Sequence, residues 1–326
     1  TLFMVQKVNG RWRPVLNLKR LNRFVVVDTF RMVTLQGIIP LLLEGDFLVT
    51  LDLQDAYFHV PVHPECQQFL RFAVEGRHFQ FRVLPFGLAT SPRVFTKVLA
   101  PVVARLRLDG LSVYPYLDDW LLCAPSLAQA LRDLDFLLEI LRRLGFLVNL
   151  EKSSLVPEQE KVFLGARINS LLARVFLTPT RIAVILRAVS LLLSRDSLDA
   201  RGWLRVQGLL AATTALVPWA RFHLKPIVNH ILSCWTPSTM GLHCLIPVSA
   251  AVVPSLRWWL VDSHLSVGVP FCYPPPVAVT TDASRWGWGA TFRDLEVQAP
   301  WSPAQSQRSS NWRELMAVWM ALQSFA

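Results

Sequence analysis

V-Y-P-Y-L-D-D-W-L-L-C, residues Val113 to Cys123, sets two adjacent carboxylates, Asp118 and Asp119, between two short apolar runs. Such runs on either side of a polar pair predict a β-hairpin with strands Leu111 to Leu117 and Trp120 to Ala124 and the acidic pair at its turn. Asp tolerates unusual backbone angles and bonds its own backbone, so an Asp-Asp turn is by itself only turn chemistry. Its weight comes from what surrounds it.

Upstream, Gly45 to Leu53 reads as a nearly continuous apolar strand carrying a carboxylate, Asp52, near its end; that acid can simply cap the next turn, or meet another acid in space. Phe69 to Val74 and His78 to Val83 predict a strand pair around Glu75-Gly76-Arg77. Ser91-Pro92 predicts a helix through about Leu106, with Pro suited to the first turn after a Ser cap. Downstream, Leu127, Leu131, Leu134, Leu138 and Leu141 recur at helical spacing over Ser126 to Leu144, and Gly145 closes the run. Before all of these, Trp12 to Leu18 follows an Asn9-Gly10 turn signal and completes a basic hairpin within residues 1 to 30. The order predicts an α+β fold with an antiparallel sheet covered on one face by helices.

With 326 residues, 52% of them hydrophobic, the chain can bury a sizeable core in two or three domains. Lys plus Arg number 33 against 23 Asp plus Glu, a net charge of +10, which favours a polyanion such as nucleic acid or an anionic membrane surface. Mean hydropathy is high at +0.36. Even so, the uncharged stretch from Pro226 to Ser255 is broken by Asn229, His230, His243 and prolines, so a spanning helix and a membrane partner are not expected. Five scattered cysteines and the lack of a signal peptide pattern point to a reducing intracellular compartment, cytoplasm or nucleus. His230, Cys234, His243 and Cys244 are zinc-type residues whose spacing matches no standard module. The start at Thr1 and the stop inside a helical pattern read as a piece of something longer.

Five segments fall in a telling order: L-V-T-L-D-L-Q-D-A-Y-F-H-V-P-V at 48 to 62, L-P-F-G-L-A-T-S-P at 84 to 92, Y-L-D-D at 116 to 119, L-G-F-L-V-N-L-E-K-S at 144 to 153 and V-F-L-G at 162 to 165. Together they resemble the motif ladder of retroelement reverse transcriptases. The resemblance implies a right-hand polymerase fold of fingers, palm and thumb with an antiparallel palm sheet, and RNA-directed DNA synthesis on an RNA or DNA template with a primer and deoxynucleoside triphosphates. It implies two Mg²⁺ ions, with Mn²⁺ as a substitute, on Asp52, Asp118 and Asp119. By the same resemblance Lys152 protonates the pyrophosphate leaving group, and Asp55 and Ala56 offer backbone N–H groups to the triphosphate. Tyr57 lies beneath the sugar, and Lys7 and Arg13 grip the phosphates, with Gln6 an equally close candidate for the Lys7 position. Phe86 stands at the nucleotide site where retroviral enzymes usually have Gln, and Phe163, Leu164 and Gly165 match the primer grip.

From Thr178-Pro179 the pattern becomes helical, over Pro179 to Leu193, Asp199 to Leu216 and Pro218 to Leu232, with Thr178 and Ser197 or Asp199 as caps. This stretch resembles a thumb, in which Arg181, Arg187, Arg201, Arg205, Arg221 and Lys225 are either phosphate contacts or a solvated face. Pro274 to Pro276 read as a stiff linker. T-D-A-S at 281 to 284, ending a strand, and N-W-R-E-L at 311 to 315, opening a helix, resemble the start of a ribonuclease H domain, whose metal-binding acids would be Asp282 and Glu314. Two further carboxylates are needed, so no hybrid cleavage is expected from these residues alone. The implied divisions are 1–176 (fingers and palm), 177–270 (helical thumb and connection) and 271–326 (N-terminal part of an RNase H-like α/β domain). D-A-S-R-W-G-W-G-A, Y-L-D-D-W and N-W-R-E-L-M-A-V look most like the DIRS group of retrotransposons, with gypsy-like elements also similar. An inactive nucleic-acid-binding relic, or a protein acting mainly as a ribonuclease H, are the alternatives.

Overall fold

The chain opens with an antiparallel hairpin, β1 (Leu2–Gln6) and β2 (Trp12–Leu16), in register from Leu2 opposite Leu16 to Gln6 opposite Trp12. The computed structural model describes residues 2–6, 10, 12–272 and 277–325, so Lys7, Asn9 and the triproline at 274–276 lie outside the described residues. The chain divides into two compact units, Thr1–Cys272 and Tyr273–Ala326.

Four antiparallel strands make the sheet at the centre of the first unit. In chain order, β3 (Phe47–Asp52) is followed by the pair β4 (Arg71–Val74) and β5 (Arg77–Gln80), the helix α1 (Ser91–Leu108), the hairpin β6 (Ser112–Tyr116) and β7 (Asp119–Ala124), the helix α2 (Leu127–Arg143), and β8 (Ser154–Glu158). The central sheet runs β6-β7-β3-β8. Alternation divides its side chains between two faces. Val49, Leu51, Trp120 and Leu122 pack with Phe95 and Leu99 of α1 and Leu134 and Leu137 of α2. Leu48, Leu121 and Cys123 turn the other way, into a second core. That second core is built by β9 (Glu160–Phe163), β10 (Ala166–Asn169) and β11 (Arg174–Leu177), with the helices α3 (Pro179–Leu193), α4 (Ala200–Ala211) and α5 (Ala220–Cys234) and the short strand β12 (Val269–Pro270) beside β11. Burial on both faces is why Trp120–Ala124 is apolar at every position rather than at every second one.

Local chemistry sets the ends of these elements. Ser126 caps α2 by accepting the Gln129 N–H, and Asp199 caps α4 by accepting that of Gly202. The other expected caps differ. Thr178 makes no cap bond and faces the Thr180 hydroxyl instead. Ser91 is already helical, and its hydroxyl donates to the Pro85 carbonyl, which ties α1 to the L-P-F-G turn. The strand pair turns on Glu75-Gly76, both at positive φ, so Arg77 belongs to β5 rather than to the turn. No helix among the described residues is long and apolar enough to cross a membrane.

The second unit carries three antiparallel strands, β13 (Thr280–Ala283), β14 (Gly287–Phe292) and β15 (Leu295–Pro300), and the helix α6 (Ser310–Ser324), capped by Ser309. Ala317 and Ala321 of α6 bury against Trp288 and Ala290, where small helical residues admit a large ring.

Candidate active site

The hairpin β6–β7 closes on the pair Tyr116 and Asp119, leaving a loop of two residues, Leu117 and Asp118. The acidic pair is therefore split: Asp118 sits in the turn, whereas Asp119 is the first residue of β7, directly opposite Asp52 of β3. Facing residues of neighbouring strands share a sheet face, so this register brings Asp52 and Asp119 together. Leu117 has φ of 54°, a left-handed conformation that crowds the Cβ of any non-glycine residue against the backbone. Two contacts hold this tip. The wholly buried Trp120 donates its indole N–H to the Leu117 carbonyl at 3.2 Å, and the Leu53 N–H donates to the Asp118 carbonyl at 2.8 Å.

Asp52 is itself bracketed by the segment before β8. Its N–H donates to the Ser153 hydroxyl at 3.0 Å, and its carbonyl accepts the Asn149 N–H at 2.8 Å. Its carboxylate faces the Lys152 ammonium at 3.4 Å. Arg13 of β2, Asp52, Asp55, Asp118 and Lys152 line one cleft of roughly 400 Å³. The Arg13 guanidinium stacks 4.4 Å above the Phe86 ring, and its buried Nε finds no hydrogen-bond partner among the described residues. Phe86 lies 5.1 Å from Tyr57, which meets Phe95 edge-on at 5.7 Å. Asp55 takes φ of 47° ahead of the 3₁₀ turn Ala56–His59.

Burial and neighbouring carboxylates disfavour ionisation of Asp118 and Asp119. Burial, then the neighbouring Asp118 and Asp52 charges, push Asp119 up to about 6 against the pull of Lys152. Asp118 is raised by burial and, to a smaller extent, by Asp52, with a hydrogen bond from its own backbone and then Arg13 and Lys152 opposing. Burial and then the Asp118 charge push the Tyr57 hydroxyl up to about 12, so it stays neutral. A carboxyl whose folded pKa exceeds its unfolded one adds stability that is lost as pH rises through the folded value. For Asp119, raised from 3.8 to about 6, the metal-free protein is expected to melt at lower temperature as pH climbs through that window, and Asp119→Asn should flatten the decline in calorimetry. An equally steep decline in the variant would refute the assignment.

Among the described residues no three His, Cys, Asp or Glu side chains already form a ready metal cage. The donor chemistry nonetheless fits a hard divalent cation, which needs only one or two carboxylates when substrate phosphates complete its shell. Mutual repulsion among partly buried carboxylates is what such a cation relieves.

Phe163 ends β9 and is buried, while Leu164 and Gly165, at φ of 49° and 73°, form the two-residue loop to β10. Arg181 donates to the Gly165 carbonyl at 3.4 Å and to the Ala212 carbonyl at 3.1 Å, so it ties this loop to the end of α4 rather than standing free. Arg187, Arg201, Arg205, Arg221 and Lys225 are exposed. Leu164, Arg181 and Tyr116 share a groove of roughly 620 Å³.

Neither Asn22 nor Ser153 stands out in the sequence, and Gly87 shows there only as part of the L-P-F-G segment. Asn22 donates to the Gly87 carbonyl and accepts the Ala89 N–H, and Leu16 donates to the Phe86 carbonyl, so the first hairpin and the Phe86 turn are fastened together. The asparagine side chain carries both a donor and an acceptor, a signal visible only once its target backbone is known. His230 bonds the Pro247 carbonyl and contacts Ser249, and among the described residues it gathers no metal-ligand set with Cys234, His243 and Cys244. In the second unit Asp282 pairs across to Gly289; it and Glu314 are exposed, with no third acid or imidazole gathered around either among the described residues.

A family described as reverse transcriptase (RNA-dependent DNA polymerase) matches residues 5–168, half of the chain, and that match spans every element of the cleft. The chain belongs to the reverse transcriptase family. Among its relatives, the Pro-Pol polyprotein of Feline foamy virus is 30% identical over 169 residues, 52% of this chain and 14% of that one. The curated relatives are long polyproteins, of which this reverse transcriptase chain spans from 7% to 47%. The fold matches that of a foamy viral protease-reverse transcriptase solved with double-stranded DNA, at a TM-score of 0.70 and 21% identity over 99% of this chain and 55% of that one. A second foamy viral protease-reverse transcriptase, solved with an RNA/DNA hybrid, matches at 0.67 with 20% identity over 99% of this chain and 42% of that one.

Proposed function

We propose that this chain is the RNA-directed DNA polymerase of a retroelement polyprotein, joining a primer 3′-hydroxyl to the α-phosphate of a deoxynucleoside triphosphate and releasing pyrophosphate. The observation that carries the reading is the register of β3 on β7, which sets Asp52 against Asp119 with Asp118 at a pinned tip over the cleft. Two Mg²⁺ ions, or Mn²⁺ in their place, would on binding lower the pKa of the hydroxyl and neutralise charge on the phosphates. Asp52, Asp118 and Asp119 would hold them through carboxylate oxygens. Arg13 brings a planar guanidinium, its Nε without a partner among the described residues, to the triphosphate; Lys7 is assigned the same phosphate-gripping role, and backbone N–H groups of Asp55 and Ala56 meet the phosphates. Lys152 donates a proton to the leaving pyrophosphate, and Phe163, Leu164 and Gly165 carry the primer terminus. The RNA/DNA hybrid and the double-stranded DNA held by the structural relatives are consistent with template–primer as the partner. Extension of a primer on an RNA template with Mg²⁺ tests the reading; no product from the folded wild-type chain would reject it.

Tyr57 is wedged between Phe86 and Phe95, so its ring is a fixed wall that a ribose 2′-hydroxyl would strike. Tyr57→Val is expected to raise ribonucleotide use relative to deoxynucleotide use by about 10- to 100-fold in kcat/KM, the range that pocket sterics reach. An unchanged ratio would remove Tyr57 from this role.

The same reading assigns 1–176 to fingers and palm, 177–270 to thumb and connection, and 271–326 to an RNase H-like domain whose metal acids are Asp282 and Glu314. The motifs around Asp118, Asp282 and Glu314 support a DIRS-type element. Five unpaired cysteines support a reducing intracellular setting.

A further inference from the structure

We infer that His59 is a positioning residue that latches the Lys152-bearing segment onto the catalytic strand. Its ring joins two backbones. Nε2 accepts the Leu147 N–H at 3.1 Å, which leaves Nδ1 to carry the proton and donate to the Ala56 carbonyl at 3.1 Å. The imidazole also rests on Phe146, 5.3 Å between centroids. Ala56 opens the turn after Asp52, whereas Leu147 begins the segment that returns to β8. One half-buried side chain thus spans the two.

Beyond Leu147 the backbone is zipped to the catalytic strand. Gln54 donates to the Leu147 carbonyl at 2.7 Å, Val148 bridges to Leu53, and Asn149 donates to the Asp52 carbonyl. Ser153 closes the far end on the Asp52 N–H. Lys152 hangs within this clamp, half exposed, with its 3.4 Å contact to Asp52. A long flexible side chain held so lightly is placed mainly by the backbone beneath it. Productive geometry tolerates shifts of only about 0.5 Å, so a latch at the start of the segment bears on the proton donor at its end. Neutral imidazole suits the task because it donates and accepts at once; a Gln amide can do the same, and Ala cannot.

The inference rests on the acid role proposed for Lys152, and the experiment separates the two. Single-nucleotide incorporation is measured in the full chain for wild type, His59→Ala, His59→Gln, Lys152→Ala and the double variant His59→Ala with Lys152→Ala. Amide hydrogen exchange is followed in parallel. His59→Ala is expected to lower kcat about tenfold with KM for the nucleotide held within about twofold, and His59→Gln to restore it. The double variant should lose no more than Lys152→Ala alone, since the two side chains act through one step. Exchange over residues 147–152 should quicken in His59→Ala while that of β7 stays as it was. Unchanged exchange over 147–152, or losses that multiply in the double variant, would overturn the latch. Faster exchange in His59→Ala together with full kcat in Lys152→Ala would keep the latch and discard the acid role.

Discussion

Asp118→Asn is expected to lose at least about 10³-fold in nucleotide incorporation, the equivalent of roughly 4 kcal/mol of transition-state stabilisation, because a metal-binding carboxylate supplies several kcal/mol. The substitution keeps the side chain's shape. It also keeps the backbone bond from Leu53 to the residue 118 carbonyl, so the hairpin tip should survive. Stability should move the other way. Asp118 is the first charge, after burial itself, that holds the Asp119 carboxyl up at about 6, so removing it relieves repulsion in the metal-free protein. The two readouts are primer extension and the thermal midpoint at neutral pH without divalent cations. The expected pattern is activity lost with the midpoint unchanged or raised, as when an acidic site is kept for function at the expense of stability. Activity within tenfold of wild type would take Asp118 out of the catalytic set.

Gly87→Ala is expected to be the most damaging single methyl group in the first unit. Gly87 sits at φ +100°, and a Cβ there would lie 2.3 Å from the Leu16 carbonyl oxygen. The atom struck is backbone and the position of a Cβ is fixed by its own backbone, so no rotamer change relieves the clash. Forcing a side chain into this conformation and parting the two segments should cost about 3 kcal/mol or more. Phe86 precedes Gly87 and carries the stack with Arg13 and the contact with Tyr57, so KM for the nucleotide should rise as well. Gly76 is the control. It has φ of +77° in the β4–β5 turn but open space where a Cβ would go, so Gly76→Ala should cost only about 1 kcal/mol. Urea unfolding compares the two, and equal losses would show that conformation, not close approach, decides the cost at Gly87.

Much of the scaffold was legible along the chain because it rests on local signals. Apolar spacing over 127–141 marked α2, and Pro179 with the run to Leu193 marked α3, since helix periodicity and first-turn proline act within a few residues. The motif ladder pointed to the antiparallel sheet before any strand pairing was known. Other features escaped because they depend on partners far away in sequence. Thr178 looked like a cap as much as Asp199 did, and only Asp199 finds its N–H. Arg181 looked like one more exposed thumb cation, yet it is spent on two backbone carbonyls that sequence spacing does not bring near it. Of the candidate site residues, Arg13, Asp52, Asp55, Asp118 and Lys152 share the cleft, whereas Lys7 lies outside the described residues.

The sequence by itself determined which chemistry is on offer: three hard carboxylates, a basic hairpin, a lysine, and apolar runs dense enough to be buried on both faces of a sheet. The tertiary structure alone decided which acid faces which. A shift of one residue in the pairing of β3 with β7 would turn Asp119 away from Asp52, and nothing in Y-L-D-D says which Asp begins the strand. That choice is made by Trp120, which fills the core beneath the sheet and reaches back to hold Leu117 in a conformation it would not otherwise keep. Packing over a distance, not local preference, sets the register, and the register sets the site.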